Sequence, residues 1–400
     1  EVTVQIPEVR ENEENAKRKV GIIGAGPAGL SCAYFLARLG YRPTVFEAEP
    51  RPGGMMVQTI PAYRLPRETL AREIRMIENM GVNIVTDTKL GRDFSLNELK
   101  EKGYEAVFLG VGAPTNVGLG VTGEDAEGVV QGIDFLKQYN IRGSVPVGKK
   151  IVVIGGGNAA VDAARTAIRL GAEEVTILYR RTQEQMPAYA EEIEQALIEG
   201  VKLRTLTQPV EVKKDENGKV AGLSCACMQL GEFDRSGRRR PTEDTGESTF
   251  VMEIDQIIVA IGQKLDAKPL SGDLDIQIGH HRFIETEPTT GQTSTDWVFA
   301  GGDVATGPVS VVAAIGSGEK AAVGIDEYLT GEQHAFWREE YSVDTAFDPD
   351  AEPVSYPREK LPVIEPDRRK NNFDEVERSW PESMALRQCD RCLRCDYGKS

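Results

Sequence analysis

The segment Val20-Gly21-Ile22-Ile23-Gly24-Ala25-Gly26-Pro27-Ala28-Gly29 has the pattern of a buried strand that runs into a turn of small residues, and a helix pattern continues to Gly40. Such a turn surrounds a phosphate group with backbone N–H groups and the positive end of a helix dipole. The next strand pattern ends at Glu47, where a carboxylate accepts hydrogen bonds from a free ribose 2′-hydroxyl. The sequence therefore predicts a dinucleotide-binding βαβ unit.

The same pattern returns later in the chain with the opposite charge after its second strand. A strand pattern at 149–154 leads into Gly155-Gly156-Gly157-Asn158-Ala159-Ala160, and the strand after the following helix ends at Arg180-Arg181. Paired guanidinium groups at this place favour a ribose 2′-phosphate, so NADP(H) is favoured over NAD(H). The alternative is an ordinary pair of solvated arginines. Two dinucleotides of different kinds are therefore expected.

Length and charge limit the class of protein. Four hundred residues exceed the roughly 250–300 at which a single hydrophobic core stops growing, so two domains with tails are expected. The 47 Lys and Arg residues against 63 Asp and Glu residues give a net charge of −16, which opposes nucleic-acid binding. The sequence contains no apolar run long enough for a membrane span and no secretory signal near its start. We therefore expect a cytoplasmic location.

The order of the patterns predicts an α/β fold in which the second unit is inserted in the first. The first unit lacks its last strand and helix until Phe299-Ala300-Gly301-Gly302-Asp303 and the residues that follow. An antiparallel meander is predicted from Val201 to Met252. Two Rossmann-like dinucleotide-binding domains with an extended C-terminal arm result. The predicted parts are an N-terminal arm at 1–17, a first domain at 18–140 and 263–332, an inserted domain at 141–262, and the C-terminal arm at 333–400.

Longer motifs extend both glycine turns. They are Phe46-Glu47-Ala48 with Pro52-Gly53-Gly54, Ile60-Pro61-Ala62-Tyr63-Arg64-Leu65-Pro66, Tyr179-Arg180-Arg181 with Met186-Pro187-Ala188, and Phe299-Ala300-Gly301-Gly302-Asp303. Over roughly residues 18–330 the chain resembles the glutamate synthase small-subunit group. That group includes the matching part of dihydropyrimidine dehydrogenase and the flavin subunit of NADH-dependent ferredoxin:NADP oxidoreductase.

The resemblance implies which cofactor each turn holds. FAD would lie at the first turn, with Glu47 on its adenosine ribose and Asp303 near the ribityl chain and pyrophosphate. NADPH would lie at the second turn, with Arg180 and Arg181 on the 2′-phosphate. The cofactor-binding candidates are Gly24, Gly26, Pro27, Ala28, Gly29, Glu47, Ala48, Gly53, Gly54, Arg64, Gly112, Gly155, Gly157, Asn158, Ala159, Ala160, Arg180, Arg181, Gly262, Gly302, Asp303 and Ser317.

A further helix is predicted at 317–329, entered through Gly316-Ser317-Gly318-Glu319. Its positive end would face the flavin N1 atom and C2 oxygen, where reduced flavin carries negative charge. An ordinary glycine-rich helix entry is the alternative. No catalytic side chain is predicted, because hydride transfer takes place between cofactors that the protein only positions.

The cysteines predict a metal site and argue against disulfide chemistry at the flavin. Cys389, Cys392 and Cys395 have a spacing that lets three thiolates face one metal, with a fourth ligand from a partner or from elsewhere. An iron–sulfur cluster is favoured over structural zinc or plain surface thiols. Because no Cys-x-x-Cys lies near either turn, a flavin disulfide reductase is not expected.

The resemblance implies an FAD-dependent NADP(H) oxidoreductase subunit that passes electrons between NADPH and iron–sulfur carriers. The complex would be a ferredoxin-linked oxidoreductase or a transhydrogenase, with iron–sulfur and flavin subunits and ferredoxin as partners. Members of the group usually carry an N-terminal helical domain with iron–sulfur clusters, whereas no cysteine precedes Cys32 here. The alternatives are the small subunit of NADPH-dependent glutamate synthase and a non-catalytic assembly scaffold that holds FAD.

Overall fold

The computed structural model describes residues 7–233, 237–244, 249–266, 268, 274, 276–280, 282–338 and 357–390. Its strands are β1 Val20–Ile23, β2 Thr44–Phe46, β3 Asn83–Val85, β4 Ala106–Leu109, β5 Thr115–Asn116, β6 Val129–Gln131, β7 Lys150–Ile154, β8 Glu174–Leu178, β9 Lys202–Arg204, β10 Thr207–Lys214, β11 Val220–Phe233, β12 Arg239–Glu243, β13 Phe250–Met252, β14 Gln256–Val259, β15 Gln263–Lys264 and β16 Val298–Ala300. Its α-helices are α1 Glu13–Lys17, α2 Pro27–Arg38, α3 Met55–Gln58, α4 Arg67–Asn79, α5 Leu96–Glu101, α6 Gly132–Arg142, α7 Asn158–Arg169, α8 Ala190–Ile198, α9 Asp303–Thr306, α10 Val311–Thr330, α11 Pro366–Arg369 and α12 Glu382–Asp390.

The first parallel sheet has the strand order β16-β4-β1-β2-β3. Its central strand is buried along its whole length, as expected for a parallel sheet with both faces covered. The late strand β16 pairs with β4, with Phe299 opposite Phe108. The predicted return of the chain to the first unit is therefore confirmed.

The second parallel sheet has the strand order β6-β14-β7-β8-β9. Strand β6 lies at Val129–Gln131, so this sheet takes a strand from before the predicted boundary at residue 141. Strand β9, which the predicted meander included, instead pairs parallel with β8 because it follows helix α8 as in a βαβ unit. Where the chain crosses between units, β5 and β15 pair antiparallel.

The remaining strands form the antiparallel sheet that the sequence predicts. Strand β11 pairs with β10, β12 and β13, and all three pairings are antiparallel. Cys225 of β11 is buried beside Leu223 and contributes to the core under this sheet.

Helix α10 begins at Val311, six residues before the predicted start at Ser317. The Ser310 hydroxyl caps it by accepting from the Ala313 N–H. The glycines that suggested a helix entry have another role. A Cβ on Gly318 would lie 2.2 Å from the Ala28 carbonyl oxygen, so this glycine lets α10 pack tightly on α2. The predicted helix entry at Gly316–Glu319 is therefore wrong.

The N-terminal segment is partly helical and is attached to the first unit. Asn12 caps α1 by accepting from two backbone N–H groups, and the buried Asn15 side chain donates to the Leu39 carbonyl at 2.9 Å. Among the described residues, no helix has both the length and the apolar character needed to cross a bilayer.

Candidate nucleotide-binding sites

The first glycine turn leaves open space at the start of α2. A Cβ on Gly24 would lie 2.5 Å from the Gly110 carbonyl oxygen, and one on Gly29 would lie 1.9 Å from the Gly24 oxygen. These two glycines let the turn pack against the sheet. Gly26 caps the helix and a Cβ there would meet no atom within 4 Å. A phosphate can therefore approach the N-terminus of α2, as a dinucleotide requires.

Glu47 lies beside this turn with 5% of its surface exposed. Its carboxylate accepts from the Ala25 N–H at 2.7 Å and from the Glu49 N–H at 2.9 Å. Burial raises the pKa of Glu47, although these two N–H groups favour its ionised form. A carboxylate has about four acceptor positions, so room remains for a ribose hydroxyl. The arrangement fits the predicted role of Glu47.

The Gly53-Gly54 turn packs directly on the first glycine turn. The Gly53 N–H donates to the Ala25 carbonyl at 2.8 Å, and a Cβ on Gly54 would lie 2.8 Å from the Gly26 Cα. Both residues have positive φ angles, of 122° and 52°. The backbone angles and the close packing both favour glycine at these two positions. The structure thus places Gly53 and Gly54 beside Gly26.

Asp303 is held next to α2 by a turn at Gly302. Gly302 has a φ of 71°, and its N–H donates to the Ser317 Oγ at 2.7 Å. Ser317 lies inside α10, and its hydroxyl donates to the Ala314 carbonyl. Burial raises the pKa of the half-buried Asp303. Ser317 therefore positions the turn that carries Asp303, and a direct contact of Ser317 with a cofactor stays a prediction.

The second glycine turn repeats the geometry of the first. A Cβ on Gly155 would lie 2.2 Å from the Ala260 carbonyl oxygen, whereas one on Gly157, the N-cap of α7, would meet no atom within 4 Å. The Asn158 side chain accepts from the Tyr189 N–H at 3.1 Å, which ties the turn to the start of α8. This turn also fits a pyrophosphate at a helix N-terminus.

The two arginines after β8 have different surroundings. Arg180 is exposed, whereas Arg181 is 5% exposed and its Nε donates to the Arg239 carbonyl at 3.0 Å. Arg181 therefore fixes β12 beside the site. The exposed run Arg238-Arg239-Arg240 consequently lies next to Arg181. Sequence reasoning missed this run, although three consecutive arginines in an acidic chain are a visible signal.

The remaining candidates either follow strands that pack on the two glycine turns or lie in the segments next to those turns. Gly112 and Gly262 have positive φ angles and open space at their Cβ positions, and each follows the carboxyl end of a parallel strand that packs on a glycine turn. Ligands of open α/β sheets bind at this edge. Ala48 lies shortly after β2. The other four lie in the first turns of helices, Pro27 and Ala28 in α2 and Ala159 and Ala160 in α7.

Arg64 connects the two units. Its Nη1 lies 2.9 Å from Asp162 Oδ2 in α7, and its Nε lies 3.0 Å from Glu192 Oε1 in α8. Burial raises the pKa of Asp162 to about 6 even though Arg64 favours its ionised form. A cofactor contact of Arg64 stays a prediction, since its guanidinium is held here by two carboxylates.

The predicted metal site lies largely outside the described residues. Cys389 is exposed at the end of α12, and Cys392 and Cys395 fall beyond the described range. Within the part of the chain that the structure describes, no group of three His, Cys, Asp or Glu residues could hold a metal ion. Cys32 is fully buried in α2, and burial raises its pKa well above the ordinary thiol range.

Each of the two parallel sheets has a glycine turn between a central strand and the helix that follows it, α2 or α7. These features define a two-domain α/β protein with Rossmann-like dinucleotide-binding domains, the second inserted in the first. Residues 18–318 match the sequence profile described as pyridine nucleotide-disulphide oxidoreductase. The chain belongs to this family of oxidoreductases.

Two curated relatives are similar over most of the chain. One is the NADPH-Fe(3+) oxidoreductase subunit beta of Geobacter sulfurreducens, 40% identical over 416 aligned positions that cover 94% of this chain and 61% of the relative. The other is the glutamate synthase [NADPH] small chain of Escherichia coli, 38% identical, with coverage of 78% and 69%. The resemblance to the glutamate synthase group is therefore confirmed. The chain spans less than two thirds of the length of the first relative.

A solved structure shares the fold at low sequence identity. Mycobacterium tuberculosis FprA in complex with NADPH has a TM-score of 0.66 and 20% identity, with 78% of this chain and 85% of that chain covered. This similarity supports the two-domain architecture described above.

Proposed function

We propose that this chain is an FAD-dependent NADP(H) oxidoreductase subunit that passes electrons between NADPH and iron–sulfur carriers of a larger complex. The observation that carries the proposal is the ion pair between Arg64 and Asp162. Arg64 lies in the loop between α3 and α4, shortly after the Gly53-Gly54 turn, and Asp162 lies in α7, which begins at the second glycine turn. The pair therefore links a loop next to the proposed FAD site with the helix that begins at the proposed NADPH site.

The residues divide between the two proposed cofactors. The unit built on the first parallel sheet would hold FAD through the Gly26 turn, Glu47 and Asp303. The unit built on the second parallel sheet would hold NADPH through the Gly157 turn, with Arg180 and Arg181 on the 2′-phosphate. When bound, FAD accepts two electrons together as hydride and can release them one at a time. The protein's own task is to bind both cofactors and to hold the two sites against each other.

Electron release to iron–sulfur carriers fits the positions of the cysteines. Among the described residues, Cys32 is the cysteine nearest in sequence to a glycine turn, and it is fully buried within α2. No second cysteine lies in α2 to form with Cys32 the disulfide that a flavin disulfide reductase reduces. The C-terminal Cys389, Cys392 and Cys395 are proposed as ligands of an iron–sulfur cluster, with zinc as the alternative metal.

The names of the relatives support a subunit of a larger assembly. One relative is a beta subunit of an NADPH-Fe(3+) oxidoreductase and the other is a glutamate synthase small chain. The second relative favours glutamate synthase as the alternative function, because the match covers 69% of that protein. A companion chain that binds glutamine would support this alternative.

Anaerobic stopped-flow mixing of the FAD-loaded protein with NADPH or NADH tests the proposal. We expect NADPH to bleach the flavin absorbance rapidly and NADH to do so far more slowly at equal concentration. Retention of FAD without bleaching by either nucleotide would favour the assembly scaffold. Iron, zinc and subunit analysis of the native complex then separates the ferredoxin-linked complex from glutamate synthase.

A further inference from the structure

The C-terminal segment folds back over the contact between the two nucleotide-binding units. Val363 and Glu377 form an antiparallel bridge, which is flanked by hydrogen bonds from the Ile364 N–H to the Val376 carbonyl at 3.0 Å and from the Arg378 N–H to the Pro362 carbonyl at 2.7 Å. Residues 362–378 thus form a closed loop with α11 near its tip, which we name the C-terminal hairpin.

The C-terminal hairpin contacts the first unit at Tyr63. The Val376 N–H donates to the Tyr63 carbonyl at 2.9 Å, and the Phe373 ring lies 6.2 Å from the Tyr63 ring. Tyr63 is the residue before Arg64, which forms the ion pair with the second unit. The hairpin therefore binds the same loop of the first unit that faces the second.

The hairpin contacts the second unit at two more places. The Phe373 ring stacks on Tyr139 of α6, with ring centroids 4.4 Å apart and an angle of 28° between the planes. The Arg369 Nε atom lies 3.2 Å from Glu199 Oε1, at the end of α8. Arg369 is only 1% exposed. A single loop thus contacts both units through buried or stacked side chains.

Glu199 is the acceptor at which these contacts meet. Its carboxylate also accepts from Arg165 at 2.8 Å and from Arg169 at 2.6 Å, both in α7. The Tyr63 ring lies under these two guanidinium groups, 4.7 Å from that of Arg165 and 4.0 Å from that of Arg169. The first unit thus inserts an aromatic ring into an ionic cluster of the second unit.

Burying Arg369 is costly and its hydrogen bonding is incomplete. Its Nε and Nη1 atoms have no hydrogen-bond partner among the described residues, so its attraction to Glu199 is the main compensation. A buried ion pair contributes little net stability, whereas removing one partner is strongly destabilising because it leaves the other charge buried and unpaired. We therefore attribute the buried Arg369 to the relative position that its contact with Glu199 fixes, and not to a net gain in the free energy of folding.

We propose that Arg369 is a positioning residue, through which the C-terminal hairpin holds the two nucleotide-binding units in one fixed relative arrangement. The kinetic part of this inference rests on the proposed function, because the fixed arrangement would keep the nicotinamide and flavin sites in register. Without the hairpin, the contacts that remain between the units include the ion pairs of Arg64 and the packing of the Tyr63 ring on Arg165 and Arg169.

Small-angle scattering and hydrogen exchange test the arrangement without any cofactor chemistry. Arg369→Ala and Phe373→Ala should increase the radius of gyration and speed amide exchange in residues 60–66 and 190–199 by about tenfold. Arg368→Ala is the matched control, since Arg368 is exposed in the same short helix. It should behave as the wild type. Unchanged scattering and exchange in both hairpin variants would overturn the proposal.

Rapid kinetics distinguish misplacement of the two units from local unfolding of the hairpin, because they measure the flavin reduction rate and the Kd for NADPH separately. The flavin reduction rate at saturating NADPH should fall about tenfold or more in Arg369→Ala, since misplacement by about 1 Å can cost on the order of 10²-fold. The Kd for NADPH should stay within about twofold of the wild type, because the proposed NADPH contacts lie in the second unit alone. A fall in affinity at constant rate would contradict the proposal.

Conservative variants keep the test decisive if the alanine variants unfold. Arg369→Lys keeps the charge and should recover part of the rate, whereas Phe373→Leu keeps bulk without the stacking and should not. If Lys recovers nothing and Leu behaves as the wild type, Arg369 does not position the units. If wild-type flavin is not reduced by NADPH at all, the proposed function fails, and scattering and exchange still decide the role of the hairpin.

Discussion

The guanidinium of Arg64 and the carboxylate of Asp162 meet across the two units, with Nη1 2.9 Å from Oδ2. Asp162 is fully buried, and burial raises its pKa to about 6, so it is still ionised at neutral pH. The pair is therefore charged under physiological conditions. Arg64 is thus bound by two carboxylates of the neighbouring unit, Asp162 and Glu192, while its contact with a cofactor stays a prediction.

Gly26 and Gly157 each have free space at the position of a Cβ atom, so an alanine at either one should block a single nucleotide site. Gly26→Ala should fold normally, because φ is −74° and the new Cβ would meet no protein atom within 4 Å. The methyl group would project into the space proposed for the FAD pyrophosphate. We expect the purified variant to have lost most of its FAD, as measured by its flavin absorbance, with a melting temperature close to that of the FAD-free wild type.

Gly157→Ala provides the reciprocal case at the second turn, where φ is −90° and the Cβ position is also open. It should retain FAD and lose NADPH affinity in equilibrium titration. Gly29→Ala is the contrasting variant, since its Cβ would lie 1.9 Å from a carbonyl oxygen and should destabilise the fold. Loss of FAD in Gly157→Ala, or of NADPH affinity alone in Gly26→Ala, would show that the two sites are assigned the wrong way round.

Arg180 and Arg181 should differ when each is replaced by alanine. Arg180 is exposed, so Arg180→Ala should leave stability unchanged and weaken NADPH binding by about 2 kcal/mol, the value of a charge-assisted hydrogen bond, with little effect on NADH. Arg181→Ala removes a donor to the Arg239 carbonyl and should also lower the melting temperature. Titration with both nucleotides measures the difference, and an equal loss of NADH and NADPH affinity in Arg180→Ala would refute the phosphate assignment.

Both glycine turns could be predicted from the sequence because strand, turn and helix are neighbours in the chain. The conformation of each turn, at 24–29 and at 155–160, depends only on the strand before it, the helix after it and the sheet on which it packs. The start of α10 could not be found in this way. Glycine usually marks a helix end, but Gly318 sits inside the helix because it packs against the Ala28 carbonyl, a contact that is remote in sequence.

The contacts between the units could not be predicted either, because they also join residues that are far apart in the sequence. Arg64 and Asp162 are 98 residues apart, and no periodicity connects a loop arginine to an aspartate on a distant helix. The sequence predicts Arg369 only as part of an extended arm, since the proline-rich segment around it has no helix or strand pattern. Its burial depends on Glu199 at the end of α8, which is 170 residues away in the sequence (369 − 199).

Cys32 should be inert in the native protein. It is fully buried in α2, and burial raises its pKa so that almost no thiolate forms near neutral pH. Alkylation of the native protein should therefore label the exposed Cys389 and leave Cys32 unmodified, as peptide mass analysis can show. NADPH-dependent bleaching of the flavin should survive this treatment. Rapid labelling of Cys32 together with loss of bleaching would revive a thiol-based mechanism.

Glu199 should give stability a defined dependence on pH. Burial raises its pKa, but hydrogen bonds from Arg169 and Arg165 outweigh this effect, so the pKa of Glu199 lies below its ordinary value. A carboxylate with a lowered pKa stabilises the fold above its unfolded-state pKa, and this contribution is lost as pH falls through the folded-state value. At neutral pH, Glu199→Gln should cost about 3 kcal/mol or more, because three arginines lose their shared charge partner.

Urea denaturation of Glu199→Gln and the wild type at several pH values measures this contribution. The difference in unfolding free energy should be largest at neutral pH and should shrink below the ordinary glutamate pKa, as the wild-type carboxylate becomes protonated. Glu194→Gln is the matched control, because Glu194 is exposed in α8 and should change stability little at any pH. A difference between Glu199→Gln and the wild type that stays constant down to acidic pH would mean that the charge of Glu199 is not what stabilises the cluster around Tyr63.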